Sequence, residues 1–510
     1  MAPMQRITAL APQPLFSSAA TRRIEAAAAA RLPPQALMQR AGAACANLVR
    51  ALAPHARCVW IACGAGNNGG DGLEAAALLQ RAGVPVVVTW LGTPQALPAD
   101  ALAAWQRACA AGVRFADAPP PLGTQDLCVD ALLGLGLTAQ ARSSPADARL
   151  LPWLARMHSS PAPTLCVDLP SGLLADSGAW APGFESLAHA PQSARHTLAL
   201  LTLKPGLFTA HGRDAAGCVW FDDLGAAPDA HEACAQLAGA PPPPPARAHA
   251  SHKGHFGDVA VIGGEALATR GLGMTGAAML AAQAALHAGA GRVLLALLDA
   301  GATAALPEQA ELMLRHVATL DLAQGAVVCG CGGGSAIAAC LPRVLREARR
   351  LVLDADALNA IAADSALQRL LAARGERADC ASALTPHPLE AARLLDCSSA
   401  QVQADRLASA QALAARYRCT VLLKGSGSVI AAPGRLAHLN PTGNALLATG
   451  GSGDVLAGLL GARLAAARSA SADAAFTAAS QACWQHGALA DGWPAGRALT
   501  ASRLARALSA

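Results

Sequence analysis

Short apolar runs recur along the chain, each leading into a glycine- or aspartate-bearing loop and then an alanine-rich helical stretch. In the first part, Arg57–Gly64, Val84–Leu91, Asp126–Leu133, Thr164–Asp168 and His196–Thr202 predict strands. In the second, Asp258–Ile262, Arg292–Leu298, Gly325–Cys329, Leu351–Asp354 and Thr420–Leu423 do the same, at intervals suited to crossover helices. Strands alternating with helices predict an α/β fold of two doubly wound domains. Ligands in such sheets bind beyond the carboxyl ends of strands, so the loops after these runs carry the chemistry.

The pattern breaks at Pro241–Pro245, an unbroken proline run in Ala/Pro/His-rich sequence. Proline lacks the amide hydrogen and holds the backbone extended, which predicts a semi-rigid spacer. The expected division is a first domain over 1–225, a linker over 226–250 and a second domain over 251–510. A length of 510 residues suits two large domains.

Composition excludes several classes. The chain is 53% hydrophobic, mostly through alanine, and 14% charged, with 39 Lys+Arg against 34 Asp+Glu. A net charge of +5 without a basic block argues against a nucleic-acid partner. Two uncharged windows, 271–291 and 322–342, are long enough to span a bilayer, but clustered glycines break both, which predicts buried strand–loop–helix units and no membrane partner. The opening residues lack an export signal, so the expectation is a soluble cytoplasmic protein. The 15 cysteines are scattered, odd in number and without a C-x-x-C pair, which predicts reduced thiols rather than a metal or redox centre.

Candidate chemistry gathers at the strand ends. Gly64-Ala-Gly-Asn67-Asn68-Gly69-Gly70-Asp71-Gly72 precedes a helix expected near Leu73, offering uncovered amides to a phosphate. Asp130-Ala-Leu-Leu-Gly134-Leu135-Gly136-Leu137 and Asp168-Leu-Pro170-Ser171-Gly172 bring carboxylate and hydroxyl oxygens. With Asn68 these oxygens suit one hard monovalent cation, although each aspartate alone reads equally well as a helix cap. These loops, with Thr202-Leu-Lys204-Pro-Gly206 and the opening Arg23, Glu25 and Leu37–Gly42, resemble the NAD(P)H-hydrate epimerase family. The resemblance implies a Rossmann-like fold in which Asn67, Asn68, Gly69, Gly70, Asp71 and the loop Gly134, Leu135, Gly136, Leu137, Thr138, Ala139, Gln140 touch the hydrated dinucleotide. It also implies potassium on Asn68, Asp130 and Ser171, and Asp168 in contact with substrate, with Asp168 a candidate acid–base group. Leu135 stands where the family often has threonine. The role of Lys204 is open.

The second part opens with His252-Lys253-Gly254-His255-Phe256-Gly257 and continues through Asp354-Ala-Asp356-Ala-Leu-Asn359, Thr385-Pro386-His387-Pro388-Leu389-Glu390 and Lys424-Gly425-Ser426-Gly427-Ser428 to Gly450-Gly451-Ser452-Gly453-Asp454. A glycine-rich turn opening an apolar helix (Val455–Leu464) offers amides and a positive dipole end to phosphate. An aspartate in that turn is placed to take a proton from an attacking hydroxyl. Asp354 and Asp356 read either as Mg²⁺ positioners or as a plain strand end, and His387 either as a turn residue or as a wall for a polar ligand. The ordered set resembles the ribokinase-like NAD(P)H-hydrate dehydratases. That resemblance implies nucleotide binding by Lys424, Gly425, Ser426, Gly427, Ser428 and Gly453, substrate contact by Ala277, Gly332, Gly334, His387 and Asp454, and Asp454 as the catalytic base. Cys329-Gly-Cys-Gly-Gly-Gly334 departs from the usual G-P-G-x-G, Ser428 replaces a frequent threonine and Leu389 a frequent glycine.

Together the halves predict a bifunctional repair enzyme, an isomerase fused to a lyase. It would epimerise the R and S hydrates of NADH and NADPH at C6 and dehydrate the S form with ADP and Mg²⁺, releasing AMP and phosphate. The partners implied are NADHX, NADPHX and ADP, in a homo-oligomer. The alternative is a vitamin or sugar kinase that keeps its phosphoester, fused to a non-catalytic ligand-binding module, since the fold hosts both activities.

Overall fold

The computed structural model describes residues 4–137, 148–243, 246–267, 271–298 and 309–508. The chain folds as two compact units, a first ending at Ala235 and a second beginning at Gln236, with Ala9–Pro12 belonging to the second.

The first unit holds an eight-stranded sheet in the order Gln5–Arg6, Cys218–Asp222, Arg195–Leu200, Thr164–Val167, Leu127–Ala131, Val59–Cys63, Val86–Trp90, Arg114–Ala116. Gln5–Arg6 is antiparallel to its neighbour, and the described pairs among the others are parallel. Both faces are covered, so the central strand Val59–Cys63 is buried at every position. Val59, Ile61 and Cys63 join one core with the helices Ala36–Leu52 and Asn67–Arg81. Trp60 and Ala62 join another with Trp153 and Leu154 of the helix Leu150–His158. The chain leaves Val59–Cys63 toward one edge and returns at Leu127–Ala131 on its other side. The topological switch therefore lies between these two strands, above which the segments 64–71 and 132–137 meet.

The second unit's sheet runs, over its main part, Met313–Leu314, Arg292–Leu297, Asp258–Gly263, Ala326–Cys329, Arg350–Leu353, Ala381–Leu384, Thr420–Leu423, Val429–Ala431, Ala437–Leu439. The first seven are parallel and the last two antiparallel. Ala235–Leu237, inside the stretch read as a spacer, is a strand of this sheet with Leu237 buried. Here the switch lies between Asp258–Gly263 and Ala326–Cys329. The helices Thr275–His287 and Ser452–Ala465 pack beside it through alanine and glycine, and a Cβ on Gly458 would sit 2.0 Å from the Ala281 carbonyl oxygen.

Two helix starts differ from expectation. The helix expected near Leu73 begins at Asn67, and the one expected at Val455 begins at Ser452. Gly69 and Gly72 therefore lie within a helix, where Gly69 allows close approach of the turn at Gly64 and Gly72 allows packing onto Val59–Cys63 and Leu127–Ala131. A Cβ on Gly69 would meet the Gly64 carbonyl oxygen at 2.0 Å, and one on Gly72 would meet the Ala131 Cβ at 2.7 Å. No described helix is long and apolar enough to cross a membrane.

Replacing Gly69 by Ala forces methyl against backbone, and overpacking of this kind costs about 1–3 kcal/mol. Gly136→Ala meets nothing within 4 Å and should change stability by less than about 0.5 kcal/mol. Denaturant unfolding of the two variants should separate them by that margin, and equal stabilities would contradict the packing role of Gly69.

Candidate active sites

Above the first switch point lies a cavity of about 930 Å³, lined by the loops 64–68 and 132–137 and by the opening helices. Six ionisable side chains line it: Arg22, Glu25, Asp71, Asp100, Asp168 and Lys204. Lys204 is fully buried, forms a short ion pair with Asp168 and donates to the Leu200 carbonyl at 2.8 Å. Asp168 closes its strand with φ +66°, a left-handed backbone uncommon for a non-glycine residue, and its carboxylate also accepts from Leu200 N at 3.2 Å. One ammonium and the Arg22 guanidinium thus share the cavity with four carboxyls. Burial, then the charge of Asp168, raises Asp71 well above the ordinary carboxylate range, and the same two causes raise Glu25.

Of the residues expected to hold the dinucleotide, Asn67, Asn68, Asp71, Gly134, Leu135, Gly136 and Leu137 line this cavity. Gly69 and Gly70 are buried away from it, Gly70 against Met38 and Ala101. Thr138, Ala139 and Gln140 lie outside the described residues. Asp130 is wholly buried and accepts from Ser171 N at 2.9 Å and Ser171 Oγ at 2.6 Å. Burial still pushes its carboxyl upward against those bonds. Beside Gly134, Asn68 has both side-chain amide atoms buried without a hydrogen-bond partner among the described residues. An unpartnered amide oxygen and a desolvated carboxylate are what an oxygen-ligated monovalent cation would satisfy.

The second site rests on Asp354, buried at the end of its strand. Its Oδ1 accepts from Thr385 Oγ1 at 2.8 Å and from Lys424 Nζ at 2.7 Å. Burial works to lower the Lys424 pKa, yet Asp354 and Glu390 hold it above its ordinary value. The loop Lys424–Ser428 is clamped from behind: Arg406, buried, donates to the Lys424 carbonyl at 3.0 Å and fills the space a Cβ on Gly425 would need. Gly425 and Gly427 both have positive φ, and Ser428 Oγ donates to the Gly425 carbonyl at 3.1 Å. A Cβ on Gly453 would stand 3.3 Å from Lys424 Nζ, so the ammonium lies against the first turn of Ser452–Ala465. Ammonium and helix N-terminus together make this a place for phosphate.

Asp454, in that same turn, has its carboxyl pushed up to about 7, by burial first and Asp354 second. Gly332 has φ +59° and a Cβ there would lie 2.9 Å from the Cβ of Ala277, while Gly334 donates its N–H to Asp356 Oδ2 at 2.8 Å. His387 caps the helix Pro388–Leu395: its Nδ1 accepts from Leu389 N at 3.1 Å and Glu390 N at 3.4 Å. A ring nitrogen that accepts amide bonds carries no proton, so the hydrogen of the neutral ring sits on Nε2, 3.2 Å from Glu390 Oε1. Burial lowers the His387 pKa and raises Glu390 to about 7.

Residues 34–206 match the family described as YjeF-related protein N-terminus, and residues 259–509 the family described as NAD(P)H-hydrate dehydratase. The chain is 36% identical over 476 residues to the bifunctional NAD(P)H-hydrate repair enzyme Nnr of Escherichia coli (strain K12), covering 89% of this chain and 84% of that protein. It belongs to the bifunctional NAD(P)H-hydrate repair enzymes. The second unit is also 43% identical over 254 residues to an ADP-dependent (S)-NAD(P)H-hydrate dehydratase of Neisseria meningitidis serogroup B, across 48% of this chain and 80% of that one. Among solved structures, the ADP/ATP-dependent NAD(P)H-hydrate dehydratase of Bacillus subtilis, co-crystallized with ATP/Mg²⁺, matches with a TM-score of 0.41 and 27% identity, covering 52% of this chain and 91% of that chain.

Within this repair-enzyme scaffold, sequence reading leaves Lys204 without a role and gives none to Cys331 or Thr385, which meet their partners only through the fold.

Glu390 gives a signed prediction. Its carboxyl moves from an ordinary 4.5 to about 7 in the native state, so the native protein binds more protons between these values. Stability from this group therefore falls as pH rises through that window. Glu390→Gln keeps the bond to His387 N and removes the loss. Its stability relative to wild type should rise by on the order of 2 kcal/mol between pH 4.5 and pH 8, read as a widening gap in Tm. A pH-independent gap would contradict the assignment.

Proposed function

We propose that the first unit interconverts the R and S hydrates of NADH and NADPH at C6, and that the second dehydrates the S form with ADP. The observation that carries the second activity is Asp454, a half-buried carboxylate in a glycine-led helix turn against which Lys424 lies. Asp454 takes the proton of the C6 hydroxyl as that oxygen attacks the terminal phosphoryl group of ADP, and AMP leaves. Phosphate then departs from C6, pushed by the ring nitrogen, and loss of a proton from C5 restores the double bond. Lys424, the amides of the loop Lys424–Ser428 and the Gly453 turn bear the phosphoryl charge, while His387, Ala277 and Gly332 border the hydrate.

Asp356 offers a carboxylate to Mg²⁺, with one oxygen already on Gly334 N. Mg²⁺ keeps several waters and shares itself with substrate phosphates, so one such carboxylate is enough, and the ion would supply charge neutralisation on the nucleotide.

In the first unit, reversal at C6 requires the hydroxyl to leave with help from the ring nitrogen and to return on the other face. The acid–base groups that support this are Asp168, paired with Lys204, and Asp71 and Glu25, whose pKa values burial raises. The cavity of about 930 Å³ is roomy enough for much of a dinucleotide. Potassium on Asn68, Asp130 and Ser171 would supply a fixed positive charge beside the loop 132–137. Work in the cytoplasm is part of this reading, since both substrates are metabolites of that compartment.

The test uses mixed R and S hydrates with ADP, Mg²⁺ and K⁺, following recovery of reduced nicotinamide. Wild type should recover the whole mixture rapidly with release of orthophosphate. Asp454→Ala should lose about 10²–10⁴-fold in rate, and Asp168→Ala should halt the rapid phase once the S form is consumed. Accumulation of a stable phosphoester would overturn the dehydratase reading, and an unchanged R phase in Asp168→Ala the epimerase reading. Replacing K⁺ by a large organic cation should slow the R phase in wild type and have no further effect in Asn68→Leu.

A further inference from the structure

Three ligand atoms of two kinds converge in the second unit: Cys331 Sγ, a carboxylate oxygen of Asp354 and one of Asp454, all within 4.8 Å of one another. We propose that this triad is a binding site for a thiophilic divalent cation, Zn²⁺ or Cd²⁺, through which such ions occupy and block the second active site.

Cys331 follows the strand Ala326–Cys329 in the segment Cys329-Gly-Cys-Gly-Gly-Gly334, is wholly buried, and plays no part in the proposed chemistry. Asp354 divides its oxygens: Oδ1 serves Thr385 and Lys424, whereas Oδ2 faces Cys331 Sγ at 4.0 Å. Binding therefore does not require Lys424 to leave. Tetrahedral Zn²⁺ with bonds of about 2.3 Å to sulfur and 2.0 Å to oxygen holds neighbouring ligands roughly 3.3–3.6 Å apart. The triad closes to that spacing by side-chain rotations of about an ångström. Charge also balances. Once the thiol gives up its proton, three anionic groups face Lys424 and one divalent ion, leaving no net charge in a buried place.

Ligand type sets the selectivity. Mg²⁺ demands oxygen and keeps its waters, so a thiolate discriminates against it and favours zinc or cadmium. Three protein ligands leave a fourth position open toward the active site, the arrangement of an exchangeable rather than a structural ion. With Asp454 engaged as a ligand, the carboxylate is withdrawn from proton transfer.

The experiment titrates the full chain, free of nucleotide, with Cd²⁺ and records the ultraviolet thiolate-to-cadmium absorption. Cys331→Ser is the comparison, because the other cysteines give a shared background. Wild type should show one additional equivalent of high-affinity absorption that Cys331→Ser lacks. Loss of even an outer-sphere partner costs about 10- to 100-fold in metal affinity, so Asp454→Asn, which keeps the thiol, should weaken that equivalent at least as much. Circular dichroism and Tm of both variants confirm that they are folded. Identical titrations in wild type and Cys331→Ser would overturn the site, and so would full-strength binding in Asp454→Asn. Neither readout depends on the repair activity, so its failure and that of the functional reading are distinguishable.

Discussion

Each active site is organised by one buried lysine–aspartate pair at the carboxyl ends of parallel strands. Lys204 lies against Asp168 in the first unit, and Lys424 against Asp354 in the second. Such a pair is expensive to desolvate and costly to break, by about 3–5 kcal/mol when one partner is removed. It therefore holds its two strand ends in one arrangement. The lysine charge is local, however, and each site carries more carboxyls than it can neutralise. Glu25 and Asp71 in one unit, and Glu390 and Asp454 in the other, are left with raised pKa values. Carboxyls of raised pKa near a lysine–aspartate pair are the common outcome, reached with different loops and different sequences.

How much of this the sequence discloses depends on the range of each interaction. The ten runs read as strands all fall on strands, because apolar residues covered on both faces leave a continuous signal. Arg114–Ala116, Val429–Ala431 and Ala437–Leu439 escape such a reading: three residues make too short a run to stand out, and two of these pair antiparallel toward the sheet's end. Ala235–Leu237 is hidden by its proline-rich surroundings, although Ala238 N bonds the Leu439 carbonyl. Family resemblance identifies the loops, yet it does not separate ligand-facing from packing residues. The loop 64–72 reads as one cradle, whereas Asn67, Asn68 and Asp71 face the cavity and Gly69 and Gly70 admit neighbouring atoms. That distinction requires knowing which way a helix turn points, and an unanticipated helix start at Asn67 decides it. Likewise Lys204 and Asp168, separated by 36 residues, become a pair only when adjacent parallel strands bring their ends together.

The position of Asp454 shows two physical effects in opposition. A carboxylate in the first turn of a helix is stabilised by the exposed amides and the positive end of the dipole, which ordinarily lowers its pKa. Here the shift is upward, because burial and the neighbouring Asp354 outweigh the Cys331 hydrogen bond and Lys424. The helix's favourable field is therefore left for another anion. The turn's amides and the Lys424 ammonium suit an arriving phosphate, and a carboxylate with a pKa of about 7 is suited to accept a hydroxyl proton near neutral pH. The glycines of the turn matter in the same way: a side chain on Gly453 would press on the Lys424 ammonium, and one on Gly451 would collide with Leu280. A side-chain cap in place of this glycine turn would hold the helix better but occupy the amides that the glycines leave open to an anion.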